Sequence, residues 1–161
     1  MHTWIKRGIN VIKKIDITDP KIANDVLRIQ IPSYTVEAKI IDYYDIPPLK
    51  DTVETLQACN ETFFGYYIHE ELCGTVAIKI EKNVMDIHRL IVSPKHFRKG
   101  IAKRLLEFIE NNHQDIKTII VSTGAKNVPA VNLYMKNGFT KIGEISVNER
   151  LTLASFQKNF Y

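Results

Sequence analysis

A chain of 161 residues with 45% apolar and 25% charged content is long enough for one cored domain and too apolar to be disordered. Its formal net charge of +4 suits a polyanionic ligand and, taken alone, also weak nucleic-acid affinity. No run approaches the roughly 18 apolar residues of a membrane span, and Met1–Asn10 lacks the apolar core of a secretion signal, so a single cytoplasmic domain over 1–161, with no membrane partner, is expected.

Val11–Ile15 reads as a short strand, and Thr18-Asp19-Pro20 as a helix start, with proline tolerated in the first turn because its missing N–H would be unpaired anyway. A helical pattern runs through Ile22, Val26, Leu27 and Ile29. Pro32 is expected to interrupt it and Ser33 to cap a second helix carrying Val36, Ala38, Ile40 and Ile41. The two prolines of Asp45–Leu49 predict an extended loop. Asp51-Thr52-Val53-Glu54 then has capping-box spacing for a short helix reaching Cys59.

Beyond this point the periodicity changes. Thr62–His69, Cys73–Glu81 and Val84–Val92 predict three strands in an antiparallel meander, with a turn at Glu70-Glu71. Gly100–Asn112 predicts a helix with Ile101, Leu105, Phe108 and Ile109 on one face, and Thr118–Ser122 a nearly all-apolar central strand. Val128–Asn137 predicts a helix, and Phe139–Val147 and Leu151–Phe160 the closing strands. The order implies an α/β or α+β sheet with helices on its faces. Cys59 and Cys73 have neither metal spacing nor a visible base, and read as buried structural thiols.

Two short runs carry chemistry. Val92-Ser93-Pro94 ends a strand, Lys95–Lys99 is a polar turn, and Gly100 opens a helix whose unpaired amides and positive dipole end suit a diphosphate. Small residues at Gly100 and Ala102 allow close backbone approach, and Arg98, Lys99, Lys103 and Arg104 add charge. Neither a P-loop nor a dinucleotide fingerprint matches. In the second run, Asn127 caps a helix with Pro129 in its first turn, Tyr134 one turn after Ala130, and Gly138 as its stop.

Phe97-Arg98-Lys99-Gly100-Ile101-Ala102 resembles motif A, [QR]-x-x-G-x-[GA], of the GCN5-related N-acetyltransferases (GNAT), with phenylalanine where glutamine or arginine is usual. Asn127–Phe139 resembles the same family's motif B. The resemblance spans about Thr62 to Phe139. It implies the GNAT acyl-CoA acyltransferase fold, a mixed, mostly antiparallel sheet of about seven strands flanked by helices, with acetyl-CoA as acyl donor and no metal. It further implies diphosphate contacts from Phe97, Arg98, Lys99, Gly100, Ile101, Ala102 and Lys103. Sheet-like pantetheine pairing falls to the backbone of Leu90, Ile91 and Val92, one of whose N–H groups would meet the oxyanion. Asn127 would bond or orient the pantetheine arm, and Tyr134 would protonate the departing thiolate, a role that a phenol of pKa near 10 can fill at neutral pH.

An amine acceptor needs a base. Asp86 and His88 lie two apart on one strand and share a face, and aspartate inside a strand wants a reason; one is pairing with an arginine or the neighbouring imidazole at a wet sheet face. By resemblance, Asp86 stands where histone-acetylating members carry a catalytic glutamate, and both positions where arylalkylamine-acetylating members carry histidines. Arg89 falls on the opposite face, as a salt-bridge or surface group. Tyr34, Glu37, Tyr43, Tyr44 and Asp45 would wall the acceptor pocket for a cationic small-molecule or peptide amine. The activity so implied is direct acetyl transfer to a primary amine in a ternary complex, against a catalytically silent acyl-CoA-binding regulatory module. A nucleic-acid role lacks interleaved aromatics and is not favoured; family members are often dimers, so a homodimer is a further expectation.

Overall fold

The computed structural model describes residues 10–160, so the Met1–Asn10 segment lies, save its last residue, outside the described residues. The elements are β1 (Val11–Ile15), α1 (Pro20–Ile41), a 3-10 turn (Pro47–Lys50), α2 (Val53–Gln57), β2 (Thr62–Ile68), β3 (Glu71–Glu81) and β4 (Val84–Val92). A second 3-10 turn (Pro94–His96) leads to α3 (Ile101–Asn111), β5 (Thr118–Gly124), α4 (Val128–Lys136), β6 (Thr140–Ser146) and β7 (Thr152–Asn159). The strands form one seven-stranded sheet in the order β1-β2-β3-β4-β5-β7-β6. Every neighbouring pair is antiparallel except β4 and β5, which are parallel. No helix among the described residues is long and apolar enough to cross a membrane.

Local chemistry sets most of the helix starts. Asp19 accepts from the Lys21 amide, and Thr52 makes a reciprocal box with Thr55, the third helical residue, rather than one involving Glu54. The prolines at 47 and 48 occupy the first two positions of a 3-10 turn rather than an extended loop, positions that need no N–H donor. Pro32 does not break the first helix: α1 runs through it, and Ser33 is an interior residue rather than a cap. An interior proline costs about 3 kcal/mol. Burial of Val26 and Ile29 before it and of Ala38 and Ile41 after it outweighs that, at about 1.5–3 kcal/mol for each large apolar side chain. Packing overrides local preference here.

The two faces of the sheet bury different cores. Val76, Ile78, Met85, Ile87, Leu105, Ile109, Ile119 and Phe156 pack beneath α3 and α4. Ile15, Ala23, Val26, Leu56, Phe63, Ala77 and Ile91 pack beneath α1 and α2. Cys73 is buried and Cys59 only partly so; burial raises both thiols.

Two irregularities in β4 position the site. First, Ala77 pairs with Arg89 but Ile78 with Ile87, so His88 is an extra, unpaired residue in a β-bulge. The bulge reverses the alternation: Met85 and Ile87 face the α3 core, whereas Ile91 faces the α1 core. Second, β4 and β5 pair only over Val84–Ile87 and Thr118–Val121, while β4 stays paired to β3 as far as Val92 and β5 to β7 as far as Gly124. The sheet therefore opens as a wedge between 88–92 and 122–124. Helix α1 fits close at its rim, where a Cβ on Gly124 would lie 3.1 Å from Ile41 Cγ2. A side chain there would force the helix outward.

Candidate active site at the sheet wedge

One wall of the wedge is the passage from β4 into α3. The chain turns through Arg98 at φ +65° and Gly100 at φ +76°, a local alternation of φ sign that aims successive N–H groups to one side and favours anions. Gly100 heads α3 with no side-chain cap, and a Cβ built on it meets nothing within 4 Å. Among the described residues no protein acceptor engages the amides of Arg98 to Lys103. Ile101 is core and pins the helix start to the sheet, so the open amides sit on a rigid base. Arg104 donates to Tyr66 Oη and to the Lys99 carbonyl, both at 3.2 Å, which holds its charge over the first turn.

The opposite wall is the start of α4, where the groups are engaged. Asn127, 6% exposed, accepts from the Ala130 amide at 3.3 Å through Oδ1. Its Nδ2 donates to Glu37 Oε1 at 2.8 Å and to Thr123 Oγ1 at 3.5 Å, tying α4 to α1. Tyr134, 5% exposed, packs against the rings of Phe139 and Phe156 at 5.4 and 5.8 Å between centroids. Burial, and secondarily the Glu37 carboxylate, push the Tyr134 phenol well above its ordinary value. Burial raises Glu37 too, partly offset by the Asn127 hydrogen bond; Tyr34 is raised by burial and then by Glu37. A proton-holding phenol therefore stands beside a carboxylate that is uncomfortable as an anion.

The profile of the Acetyltransferase (GNAT) family matches residues 23–139 of this chain, more than half its length. The chain belongs to the GNAT acetyltransferase family. It is 36% identical over 146 residues to the UPF0157 protein YqkA of Bacillus subtilis, covering 91% of this chain but 43% of that protein. It is also 36% identical over 80 residues to a streptothricin acetyltransferase of Escherichia coli, covering 48% of this chain and 46% of that protein. The chain thus spans less than half the length of these two relatives. The PaiA N-acetyltransferase of Thermoplasma acidophilum, solved in complex with coenzyme A, superposes with a TM-score of 0.75 at 18% identity, covering 94% of this chain and 99% of that one. The seven-stranded mixed sheet flanked by helices is the GNAT fold, as the sequence implied.

Both GNAT motifs of this chain face the wedge from opposite sides. The backbone of Leu90, Ile91 and Val92 runs along the β4 edge of the opening; Phe97 and Lys103 are exposed at the mouth of α3, and Ala102 is half-buried. On β4, His88 Nε2 lies 3.4 Å from Asp86 Oδ2, and His88 Nδ1 lies 3.5 Å from Glu61 Oε2. Burial raises the Asp86 carboxyl, and the imidazole partly offsets it.

Arg89 departs from expectation. The bulge at His88 turns it to the same face as Asp86, where it bonds Glu61 at 2.9 and 3.3 Å, Asp51 at 2.6 Å and Gln30 at 3.0 Å. Burial alone would lower Arg89, but the hydrogen bonds to Glu61 and Asp51 prevail and raise it. Burial pushes Asp51 up, and bonds from Thr55, Arg89 and Gln30 outweigh it, leaving that carboxyl below its usual value. Glu61, Asp51 and Gln30 were not legible as site residues. The one available signal was a glutamine set between Ile29 and Ile31, which the structure buries fully.

The expected acceptor wall divides. Tyr34 and Glu37 belong to the wedge, Tyr43 Oη accepts from Asn148 at 3.1 Å, Asp45 pairs with Lys50, and Tyr44 is exposed. Away from the wedge, Glu71, Cys73 and His96 bring three ligand-type atoms within 4.8 Å of one another. Lys95 stands 3.5 Å from Glu71 and Lys99 3.2 Å from His96, so two of these groups already face ammonium ions.

Proposed function

We propose that this GNAT domain transfers the acetyl group of acetyl-CoA to a primary amine by direct attack in a ternary complex. The observation that carries this is the wedge itself, with an uncapped helix start on one side and a buried phenol on the other. The donor's diphosphate fits the open amides of Arg98 to Lys103, where the empty space over Gly100 admits phosphate oxygens, and Phe97, Arg98 and Lys99 form the turn. The unpaired β4 edge at Leu90, Ile91 and Val92 offers N–H and C=O groups to the pantetheine amides and one N–H to the developing oxyanion. With its amide protons given to Glu37 and Thr123, Asn127 orients this wall rather than donating to the ligand.

The acceptor nitrogen must be neutral to attack, so the Asp86–His88 pair accepts a proton from the ammonium, through water where needed; His88 sits in the bulge where β4 and β5 begin to part, which supports this reading. The nitrogen forms its bond to the acyl carbon, the carbon–sulfur bond breaks, and Tyr134 supplies the proton to the leaving thiolate; the second proton that the nitrogen sheds as the amide forms restores the phenol. A phenol raised by burial stays protonated until that moment. The shared fold of the PaiA acetyltransferase, which holds coenzyme A, and the kinship to a streptothricin acetyltransferase support this reading.

Tyr134→Phe keeps the ring packing and removes the acid. It should lower kcat about 100-fold while leaving acetyl-CoA affinity within a factor of about 2. Thiol release and calorimetry measure the two quantities. Retained turnover in Tyr134→Phe would remove the acid role, and absence of acetyl-CoA binding by the native protein would remove the reading altogether.

A further inference from the structure

Glu37 is a half-buried carboxylate on α1 set against the start of α4, one wall of the wedge, and the geometry around it is built rather than incidental. Asn127, itself almost wholly buried, fixes Oε1 at 2.8 Å while also capping α4. Among the described residues Glu37 has no cation within ion-pairing distance, and no other side chain donates to Oε2. The buried carboxylates across the wedge differ: Glu61 and Asp51 share the Arg89 guanidinium. Tyr34 stands one turn before Glu37 on the same helix face, close enough for the Glu37 carboxylate to raise its phenol. A partly desolvated carboxylate without a counter-ion either keeps its proton or gains from a cation that completes it, and an aromatic ring beside it favours an organic cation.

We infer that Glu37, held by Asn127 and walled by Tyr34, is the seat for a positively charged group of the acceptor other than the amine that is acetylated. The acceptor class is then a diamine or a longer amine with at least two cationic centres. One centre rests on Glu37; the other, the reacting nitrogen, gives its proton toward Asp86 and His88. This rests on the transferase reading and narrows it. The groups facing Glu37 are Asn127 from α4, Tyr134 from α4 and Tyr34 from α1. None of them supplies a positive charge.

The test compares matched acceptors, 1,4-diaminobutane against butylamine and lysine amide against norleucine amide, by thiol release from acetyl-CoA with native protein and Glu37→Gln. Glutamine keeps an oxygen for Asn127 and removes the charge. The native protein should favour the dications by about 10-fold or more in kcat/KM, mostly through KM. Glu37→Gln should bring that ratio to about 1 with the acetyl-CoA KM unchanged, and Glu37→Asp should retain part of the preference. A native ratio near 1, or a ratio that survives in Glu37→Gln, overturns the assignment while leaving the transferase standing. Turnover of none of the four by protein that binds acetyl-CoA overturns the transferase reading, and the assignment with it.

Discussion

The starts of α3 and α4 face each other across one wedge and are built on opposite principles. At the start of helix α4 the amide side chain of Asn127 is fully committed: it caps the helix, reaches Thr123, and grips Glu37 on α1. Helix α1 is likewise capped by Asp19 and α2 by Thr52, whereas α3 begins at a left-handed glycine with no side-chain cap. An uncapped helix start costs stability in isolation. Its place in front of an opening in the sheet is what makes it the proposed seat of the donor's diphosphate. The engaged side supplies fixed geometry, and the open side supplies unsatisfied donors.

Four perturbations separate these two designs. The largest effect belongs to the engaged side. Arg89→Met strands Glu61, whose side chain is 7% exposed, and should cost about 3–5 kcal/mol in a urea melt. The amides at Gly100 lie outside that network, so the folded fraction should still bind CoA. Gly100→Asp places a negative charge in the open space in front of α3. It should weaken CoA binding on the order of 100-fold in calorimetry, while the left-handed φ at this position adds only about 1–2 kcal/mol of strain in a urea melt. Stability loss without affinity loss would mean that the open amides are not the phosphate seat.

Asn127→Ala removes the α4 cap and should cost about 1 kcal/mol, with a lower kcat because Glu37 and the Tyr134 helix lose their tie. The smallest effect is a pH dependence. Burial raises the folded-state pKa of Glu37, so ionisation opposes folding at a pH above that value, and the penalty fades as pH falls through it. Glu37→Gln should therefore be more stable than native protein near about pH 8, and the difference should shrink toward acid in parallel thermal melts. A difference that grows toward acid would mean that the carboxylate is favoured as an anion.

Features fixed by neighbours in the chain were legible in the sequence. Asp19 before Pro20, Asn127 before Pro129, and the Phe97–Ala102 turn each act within about one helical turn, where side chain, backbone and dipole meet whatever the tertiary context. The strand meander was equally legible, because two-residue alternation is a local signal. Pro32 inside α1 was not, since packing on both sides of the proline decided it. The bulge at His88 was hidden for a related reason: an extra residue is defined only against the partner strand, and it moved Arg89 to a face that simple alternation denied it.

By itself, then, the sequence determined most element types, the family and the two short runs proposed as a phosphate turn and a phenol-bearing helix. Tertiary structure alone decided that β4 and β5 part after Ile87, that Glu37 meets Asn127 across 90 residues of chain, and that Arg89 neutralises Glu61 and Asp51. Those contacts join residues far apart in sequence, and the desolvation that shifts their charges exists only once the chain has folded around them.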